Sequence, residues 1–176
     1  MRLAVISDVH ANATAFRAAL ADAVACGADG AILLGDIVGY GPEPTEAVAL
    51  ARARALVSLL GNHDAAVAGL RNTEDFTSYA AESVRIHHSM LSRQDLAYLA
   101  SLPLVWTSGD GLFACAHGSF ANPATFDYVS SADDAQASFA ARLDQSLILA
   151  CFADAFSQLQ TSTNFLFAAI GDVIPA

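Results

Sequence analysis

Four apolar segments of the chain each stop abruptly at residues with polar ligand atoms. The clearest is segment 32–36, an apolar run that ends in a glycine and Asp36, and segments 3–10, 56–64 and 112–118 repeat the design. Short apolar runs of this kind are typical of buried parallel strands. Open α/β sheets bind their ligands outside the carboxyl ends of such strands. The sequence therefore predicts a ligand site at that edge of a sheet, with Asp36 on the middle of the first three strands.

The first third of the chain alternates predicted strands and helices. Strands are expected near residues 2–6, 31–34 and 55–60, with a helix from about 13 to 26 and a second one that ends near 54. This order implies parallel strands joined by right-handed crossover helices. The predicted fold class is α/β.

Residues beyond the third strand are organised differently. Two amphipathic helices without an intervening strand are expected at about 72–101, as an insertion that either roofs the site or covers the sheet. Strands at 103–107 and 112–116 flank a turn and predict a hairpin. A helix at about 132–143 and a strand at 146–150 follow. The stretch at about 151–176 has an atypical composition, so no element is assigned to it.

Composition limits the class of protein. A chain of 176 residues suits a single domain, here 1–176, with a sizeable core. The hydrophobic fraction is 55% and the mean hydropathy +0.43, but no apolar run approaches the roughly 20 residues of a membrane span. The amino terminus does not read as a signal peptide. We therefore expect no membrane partner and a cytoplasmic location.

The charge distribution argues against nucleic acid as a partner. The formal net charge is −10, and all eight basic residues are arginines. A surface that binds nucleic acid needs clustered cations to displace counterions from phosphates. A small phosphorylated substrate remains possible, because bound metal ions would supply local positive charge.

The polar residues at the predicted strand ends have the chemistry of metal ligands. Each is weak evidence alone, but together they offer carboxylate, amide and imidazole donors at one edge of the sheet. Oxygen and imidazole donors without thiolates suit Mn, Fe, Zn or Ni rather than a structural zinc site. Two such ions about 3.5–4 Å apart can activate water and neutralise phosphoryl charge together. We therefore expect two divalent or transition metal ions as cofactors.

At this point the motifs resemble those of the calcineurin-like metallophosphoesterase superfamily. The resemblance covers residues 1 to about 150 and rests on segments 7–12, 35–36, 61–64 and 116–118. Segment 35–42 is similar to the second motif of the small bacterial phosphodiesterase branch. The resemblance implies a four-layer α/β/β/α sandwich, expected here to be incomplete at its carboxyl end.

The resemblance also implies roles for individual residues. One metal would be held by Asp8, His10 and Asp36, and the other by Asp36, Asn62 and His117, so that Asp36 bridges the two. His63 would contact the phosphate and act as general acid. Asn12 and Tyr40 are expected to bind substrate, although packing is the alternative role for Tyr40.

One motif of the superfamily is missing. Its Gly-His-x-His segment, which gives a histidine to each metal, has no counterpart here, because no histidine follows His117. Cys151 and Asp154 occupy the region where it would be expected and are possible substitutes. A truncated or frame-shifted reading frame would explain both the missing motif and the atypical tail.

Three further polar residues have ordinary structural explanations. Adjacent His87 and His88 point in different directions on a helix, so they are expected at the surface or in the two-helix segment rather than as ligands. Asp64 is expected to cap the following helix, with orientation of His63 as the alternative.

These observations predict a metal-dependent phosphoesterase. It would hydrolyse a phosphate mono- or diester by in-line attack of a metal-activated hydroxide. The alternative is a catalytically degenerate or truncated member with weak metal binding and no significant activity. A nucleotide-binding doubly wound domain is disfavoured, since no glycine-rich phosphate loop follows the first strand.

Overall fold

A computed structural model describes residues 2–111 and 113–142 and the backbone of two later strands, 147–150 and 165–169. In these ranges the chain forms seven strands and six helices. In chain order they are β1 Leu3–Ser7, α1 Ala13–Ala25, β2 Gly30–Leu33, α2 Pro44–Arg54, β3 Ala55–Ser58, α3 Asn62–Val67, α4 Ser78–Met90, α5 Arg93–Ala100, β4 Val105–Thr107, β5 Phe113–Ala116, α6 Ala132–Ala140, β6 Leu147–Ala150 and β7 Phe165–Ala169.

The first sheet contains the three predicted strands of the amino-terminal region. Its order is β3-β2-β1-β7, and all three pairings are parallel. The predicted β-α-β-α-β order is therefore confirmed. Strand β7 was not predicted, because its segment has no alternation of apolar and polar residues that would distinguish it from the rest of the tail. It pairs with β1 from Leu3↔Phe165 to Ser7↔Ala169.

The second sheet contains the predicted hairpin. Strands β4 and β5 pair antiparallel, with Trp106 opposite Cys115, and β6 adds to β5 in parallel. The turn between β4 and β5 is closed by the Ser108 hydroxyl, which donates to Asp110 (2.6 Å) and accepts the Phe113 amide (3.1 Å).

Side chains alternate across the first sheet and so define the layers. Ala4 and Ile6 of β1 face a core built with the helices, whereas Leu3 and Val5 face a second core that includes Phe113 of β5. This alternation is the two-residue period of a strand buried on both faces. On the outer face of the second sheet, α6 is joined through the Phe120 amide, which donates to Ser138 (2.9 Å). The four-layer α/β/β/α sandwich is thus confirmed.

Helices α4 and α5 cover the helical face of the first sheet. Val84, Leu91 and Leu99 are buried in the same core as Ala4 and Ile6. The description of α4 and α5 as an insertion stays a prediction, as does the assignment of 1–176 to one domain. Among the residues that the structure describes, no helix is long and apolar enough to cross a membrane.

Asp64 ties the start of α3 to the loop after β2. Its carboxylate is fully buried and accepts the Gly61 amide (3.1 Å) at the start of α3 and the Val38 amide (3.0 Å) in the loop after β2. Burial, and then the nearby charge of Asp36, raise the pKa of Asp64. The predicted capping role of Asp64 is therefore confirmed, and the side chain also anchors the neighbouring loop.

Replacing Asp64 by alanine should destabilise the fold. Two buried amides would lose their acceptor, at about 1–3 kcal/mol each, and relief of the repulsion from Asp36 would offset part of that loss. We expect the free energy of unfolding to fall by about 2–4 kcal/mol in urea denaturation with chelator present. Asp95→Ala is the matched control, since Asp95 caps the exposed start of α5 and should cost about 1 kcal/mol or less. Equal losses in the two variants would contradict this account.

Candidate metal centre

The loops after β1 and β2 are joined backbone to backbone. The Asp8 amide donates to the Gly35 carbonyl (3.2 Å), and the His10 amide donates to the Asp36 carbonyl (2.9 Å). Asp8, His10 and Asp36 all have positive φ angles, of 54°, 46° and 53°. Non-glycine residues adopt this left-handed conformation at a cost and only when the surroundings impose it, and such residues cluster at functional sites. The two loops therefore fix the predicted ligands in unusual backbone conformations.

Glycine at position 61 allows the loops after β2 and β3 to approach closely. A Cβ atom at Gly61 would lie 2.1 Å from Oδ1 of Asp36 and 2.2 Å from its backbone nitrogen. The space that a side chain would fill is thus used by the Asp36 carboxylate. The glycine that precedes Asn62 is a steric requirement of the site and not only a helix boundary.

The two predicted histidine ligands are oriented in the same way. Nδ1 of His10 contacts the Val38 carbonyl (3.2 Å), and Nδ1 of His117 contacts the Leu34 carbonyl (2.9 Å). Because a carbonyl accepts only, each Nδ1 carries the proton. A backbone bond of this kind fixes the tautomer of a metal-binding histidine and leaves Nε2 for the ion.

Asp36 is the centre of this cluster. Its side chain is 2% exposed. Oδ2 lies 3.7 Å from Nε2 of His10 and 3.5 Å from Nε2 of His117, while Oδ1 accepts the His63 amide (2.9 Å). One oxygen is therefore committed to the start of α3, and the other faces both imidazoles.

The remaining two predicted ligands lie beside these groups. Oδ1 of Asp8 is 3.7 Å from Nε2 of His10, and Oδ1 of Asn62 is 3.0 Å from Nε2 of His117. The structure thus brings all five predicted ligands together from four loops: Asp8, His10, Asp36, Asn62 and His117. Which of them bind an ion stays a prediction.

The charges of the cluster influence one another strongly. Burial alone would raise the pKa of Asp36, but its electrostatic interactions with His117 above all, and with His10 and His63, hold it well below its usual range. Burial would lower the pKa of His117, yet the Asp36 carboxylate, with smaller contributions from Asp8 and Asp64, raises it to about 9. A proton on His117 therefore takes the place that a cation would hold next to Asp36.

The donor set fits a divalent or transition metal ion. Ligand atoms of Asp8, Asp36 and His117 lie within 4.8 Å of one another, as do those of His10, Asp36 and His63. Carboxylate oxygens and imidazole nitrogens at this spacing are typical ligands of such ions. Asp36 belongs to both groups, which is the property expected of a bridging residue. Cys151 and Asp154, considered as substitutes for the missing histidines, lie outside the described residues.

His63 lies among aromatic rings at the edge of the cluster. Its ring centroid is 4.7 Å from Tyr40, 4.7 Å from Phe76 and 5.0 Å from His10. A cleft of about 300 Å³ opens beside it. The residues that line the cleft are Tyr40, Asn62, His63, Arg71, Asp75, Phe76, Thr77, Ala80, Thr125, Phe126, Asp127 and Tyr128. The cleft gives a ligand access to the histidine predicted to be catalytic.

The two residues predicted to bind substrate are placed differently. Tyr40 lines the cleft, and its ring contacts both His10 (4.8 Å) and His63 (4.7 Å). The side chain of Asn12 instead accepts the Ala15 amide (3.0 Å) and caps α1. A substrate-binding role for either residue stays a prediction.

Helix α4 holds the Tyr40 loop through two residues that the sequence analysis did not assign to the site. Nδ1 of His87 accepts the Gly39 amide (3.0 Å), its Nε2 donates to the Gly41 carbonyl (2.8 Å), and Ser83 accepts the Tyr40 amide (3.1 Å). His87 is 3% exposed and lies in α4, so of its two expected places the two-helix segment is confirmed and the surface is not. Burial lowers the pKa of His87, consistent with a neutral ring that accepts at Nδ1. Only the three-dimensional pairing of α4 with this loop reveals the role.

The fold and site together define an α/β protein with a buried carboxylate–imidazole cluster at the carboxyl ends of its strands. The family model described as "Calcineurin-like phosphoesterase" matches residues 1–164. The chain therefore belongs to the calcineurin-like phosphoesterase family.

Individual proteins and solved structures are also similar to this chain. An uncharacterised protein of Methanocaldococcus jannaschii is 40% identical over 103 residues, which is 58% of this chain and 42% of the relative. The crystal structure of a metallophosphoesterase from Sphaerobacter thermophilus superposes with a TM-score of 0.67 at 40% identity, covering 80% of this chain and 56% of that one. A hypothetical protein from Pyrococcus horikoshii shares the fold at 20% identity, with a TM-score of 0.71 over 85% of this chain and 68% of that one. The chain thus spans less than two thirds of the first two relatives.

Metal binding should release a proton. Below a pH of about 9 His117 is protonated next to Asp36, and a ligand must give up that proton. Apparent Mn²⁺ affinity should therefore rise with pH up to that value, approaching tenfold per pH unit for one proton. Calorimetric titration at pH 7.5 in buffers of different ionisation enthalpy should show about one proton released per protein molecule, as the site that contains His117 fills.

Two variants test whether the released proton comes from His117. His117→Asn should bind Mn²⁺ more weakly and release almost no proton. His88→Asn should release the same number as the parent protein, because His88 contacts the Val67 carbonyl instead (2.8 Å). Proton release that persists in His117→Asn would refute the assignment.

Proposed function

We propose that this chain hydrolyses a phosphate mono- or diester of a small molecule in a metal-dependent reaction. The observation that carries the proposal is Asp36, a buried carboxylate that faces two imidazoles with their Nε2 atoms presented to it. Membership of the calcineurin-like phosphoesterase family and the likeness to a metallophosphoesterase support the same reaction class.

Two ions are proposed, from Mn, Fe, Zn or Ni. Asp8, His10 and Asp36 would hold one of them, and Asp36, Asn62 and His117 the other. When bound, such ions lower the pKa of water so that it can attack phosphorus, and they neutralise charge on the phosphoryl oxygens. The chain itself holds the donors in place through the backbone bonds of the β1 and β2 loops and excludes bulk water from Asp36.

His63 is proposed as the general acid. Its backbone amide is anchored to Asp36, and its ring is held between Tyr40 and Phe76 at the wall of the cleft. In this position it would donate a proton to the oxygen of the leaving group as the phosphorus–oxygen bond breaks. Tyr40, which lines the cleft, and Asn12, whose side chain caps α1, are proposed to contact the substrate.

The alternative function, a degenerate family member with weak metal binding, is less well supported. The five donors that the sequence does contain are brought together and oriented, and the comparisons favour a hydrolase. Calorimetric titration of the metal-free protein with Mn²⁺ distinguishes the two, since a degenerate member would show no saturable binding below millimolar concentrations. Membership of the small bacterial phosphodiesterase branch, a cytoplasmic location and the absence of a nucleic-acid partner stay predictions.

Asp36→Asn tests the bridging carboxylate. The amide keeps the shape of the side chain but removes the charge that would hold two cations together. Turnover of bis-nitrophenyl phosphate with Mn²⁺ should fall by about 100-fold or more, with a parallel loss of bound metal. Asp95→Asn on α5, where the carboxylate pairs with Arg52, serves as control and should leave turnover unchanged. Undiminished turnover in Asp36→Asn would exclude the proposed site.

His63→Ala tests the general acid. A positioned acid contributes about 10²–10⁴-fold, and most when the leaving group is poor. We therefore expect a large loss with phenyl phosphodiesters and a small one with nitrophenyl phosphodiesters, while metal content stays normal. A His63→Ala protein without bound metal would show that His63 is a ligand instead.

A further inference from the structure

Two phenyl rings lie behind the two histidines that belong to different parts of the site. Phe76, in the loop before α4, packs against His63 with a ring-centroid distance of 4.7 Å. Phe126, in the loop after β5, approaches His117 edge to face at 6.2 Å. The two rings come from segments fifty residues apart, so some contact must set their relative position.

Arg71 makes that contact. Its guanidinium carbon lies 5.2 Å from the centroid of Phe76 and 5.4 Å from that of Phe126. A planar guanidinium stacks on aromatic faces, which the ammonium of lysine cannot do in the same way. The side chain is 22% exposed, and Asp75 pairs with it at 2.7 Å. Arg71 is therefore held in one orientation between the two rings.

Phe126 needs such support. Its φ angle is 58°, a left-handed conformation that is unfavourable for a bulky residue. The adjacent backbone is close to Gly118, where a Cβ atom would lie 3.0 Å from the Phe126 carbonyl carbon. Its ring is buried with Leu60 and Ala65 on one side. Arg71 supplies the contact on the side of the cleft.

We propose that Arg71 is a positioning residue that clamps Phe76 and Phe126 and thereby fixes His63 and His117 relative to each other. The inference rests on the proposed function, because it takes His63 as the acid. Binding of a substrate anion by Arg71 is the competing role, but Asp75 already pairs with the guanidinium and Asp127 also lines the cleft. The Asp75 carboxylate therefore already occupies the guanidinium that a substrate anion would need.

The test uses Arg71→Gln in the full chain loaded with Mn²⁺. Misplacement of a catalytic group by about 1 Å can cost on the order of 100-fold in rate. We expect kcat for phenyl phosphodiesters to fall by about 10- to 100-fold with little change in KM, and kcat for nitrophenyl phosphodiesters to fall by less than about 3-fold. In a His63→Ala background the same substitution should add less than about 2-fold, because the acid it positions is gone.

Matched variants identify the interaction responsible. Arg85→Gln removes a more exposed arginine, which likewise pairs with a carboxylate, Glu82 on α4, and should change nothing. Asp75→Asn removes the ion pair but keeps the stacking, so kcat for phenyl phosphodiesters should fall by less than in Arg71→Gln. Arg71→Lys keeps the charge but loses the planar stack, and should resemble Arg71→Gln. In the metal-free protein, the ring NMR resonances of His63 and His117 should shift in Arg71→Gln and Arg71→Lys but not in Arg85→Gln.

Several results would overturn the proposal. An equal fall in kcat of Arg71→Gln with all leaving groups would show that Arg71 has only a general structural role. A fall confined to substrates with a second anionic group would show that Arg71 binds the substrate. Unchanged histidine resonances in Arg71→Gln and Arg71→Lys would exclude the clamp even if a variant were too unstable for kinetics. Failure of the proposed function is separate, since the parent protein would then hydrolyse neither substrate series.

Discussion

The burial of one carboxylate, Asp36, determines much of the surrounding structure. A charge that is 2% exposed must have partners, and Asp36 obtains them from the His63 amide and from His10 and His117. Those partners come from three different loops. The left-handed backbone at Asp36, the side-chain-free position at Gly61 and the carbonyl bonds of the histidines are all needed to place them.

The sequence predicted the part of this arrangement that depends on short-range pattern. Apolar runs that end in ligand-type residues identified β1, β2, β3 and β5, and the parallel order of the first three followed from the helices between them. Because the carboxyl ends of parallel strands share an edge, the proximity of Asp8, Asp36 and Asn62 was also predictable. His117 ends a fourth run of the same kind, but this strand belongs to the other sheet, so the shared edge of parallel strands does not explain its position.

What could not be predicted depends on contacts between distant segments. His87 reads as one of two adjacent helical histidines, and nothing in its neighbourhood indicates that it bonds to Gly39 and Gly41. The stacking of Arg71 on Phe126 likewise joins residues with no shared motif. Strand β7 pairs with β1 across the whole length of the chain, which no local periodicity encodes.

The apolar layer between the two sheets acts as a spacer for the site. Asp36 follows a strand of the first sheet and His117 follows a strand of the second. Oδ2 of Asp36 lies 3.5 Å from Nε2 of His117, so the two sheets meet at this pair. Leu3, Val5 and Leu34 from one side and Phe113 and Cys115 from the other fill the layer. Since such interiors are close-packed, their thickness is set by side-chain volume. The volume of a few buried apolar side chains thus sets the separation of two charged groups.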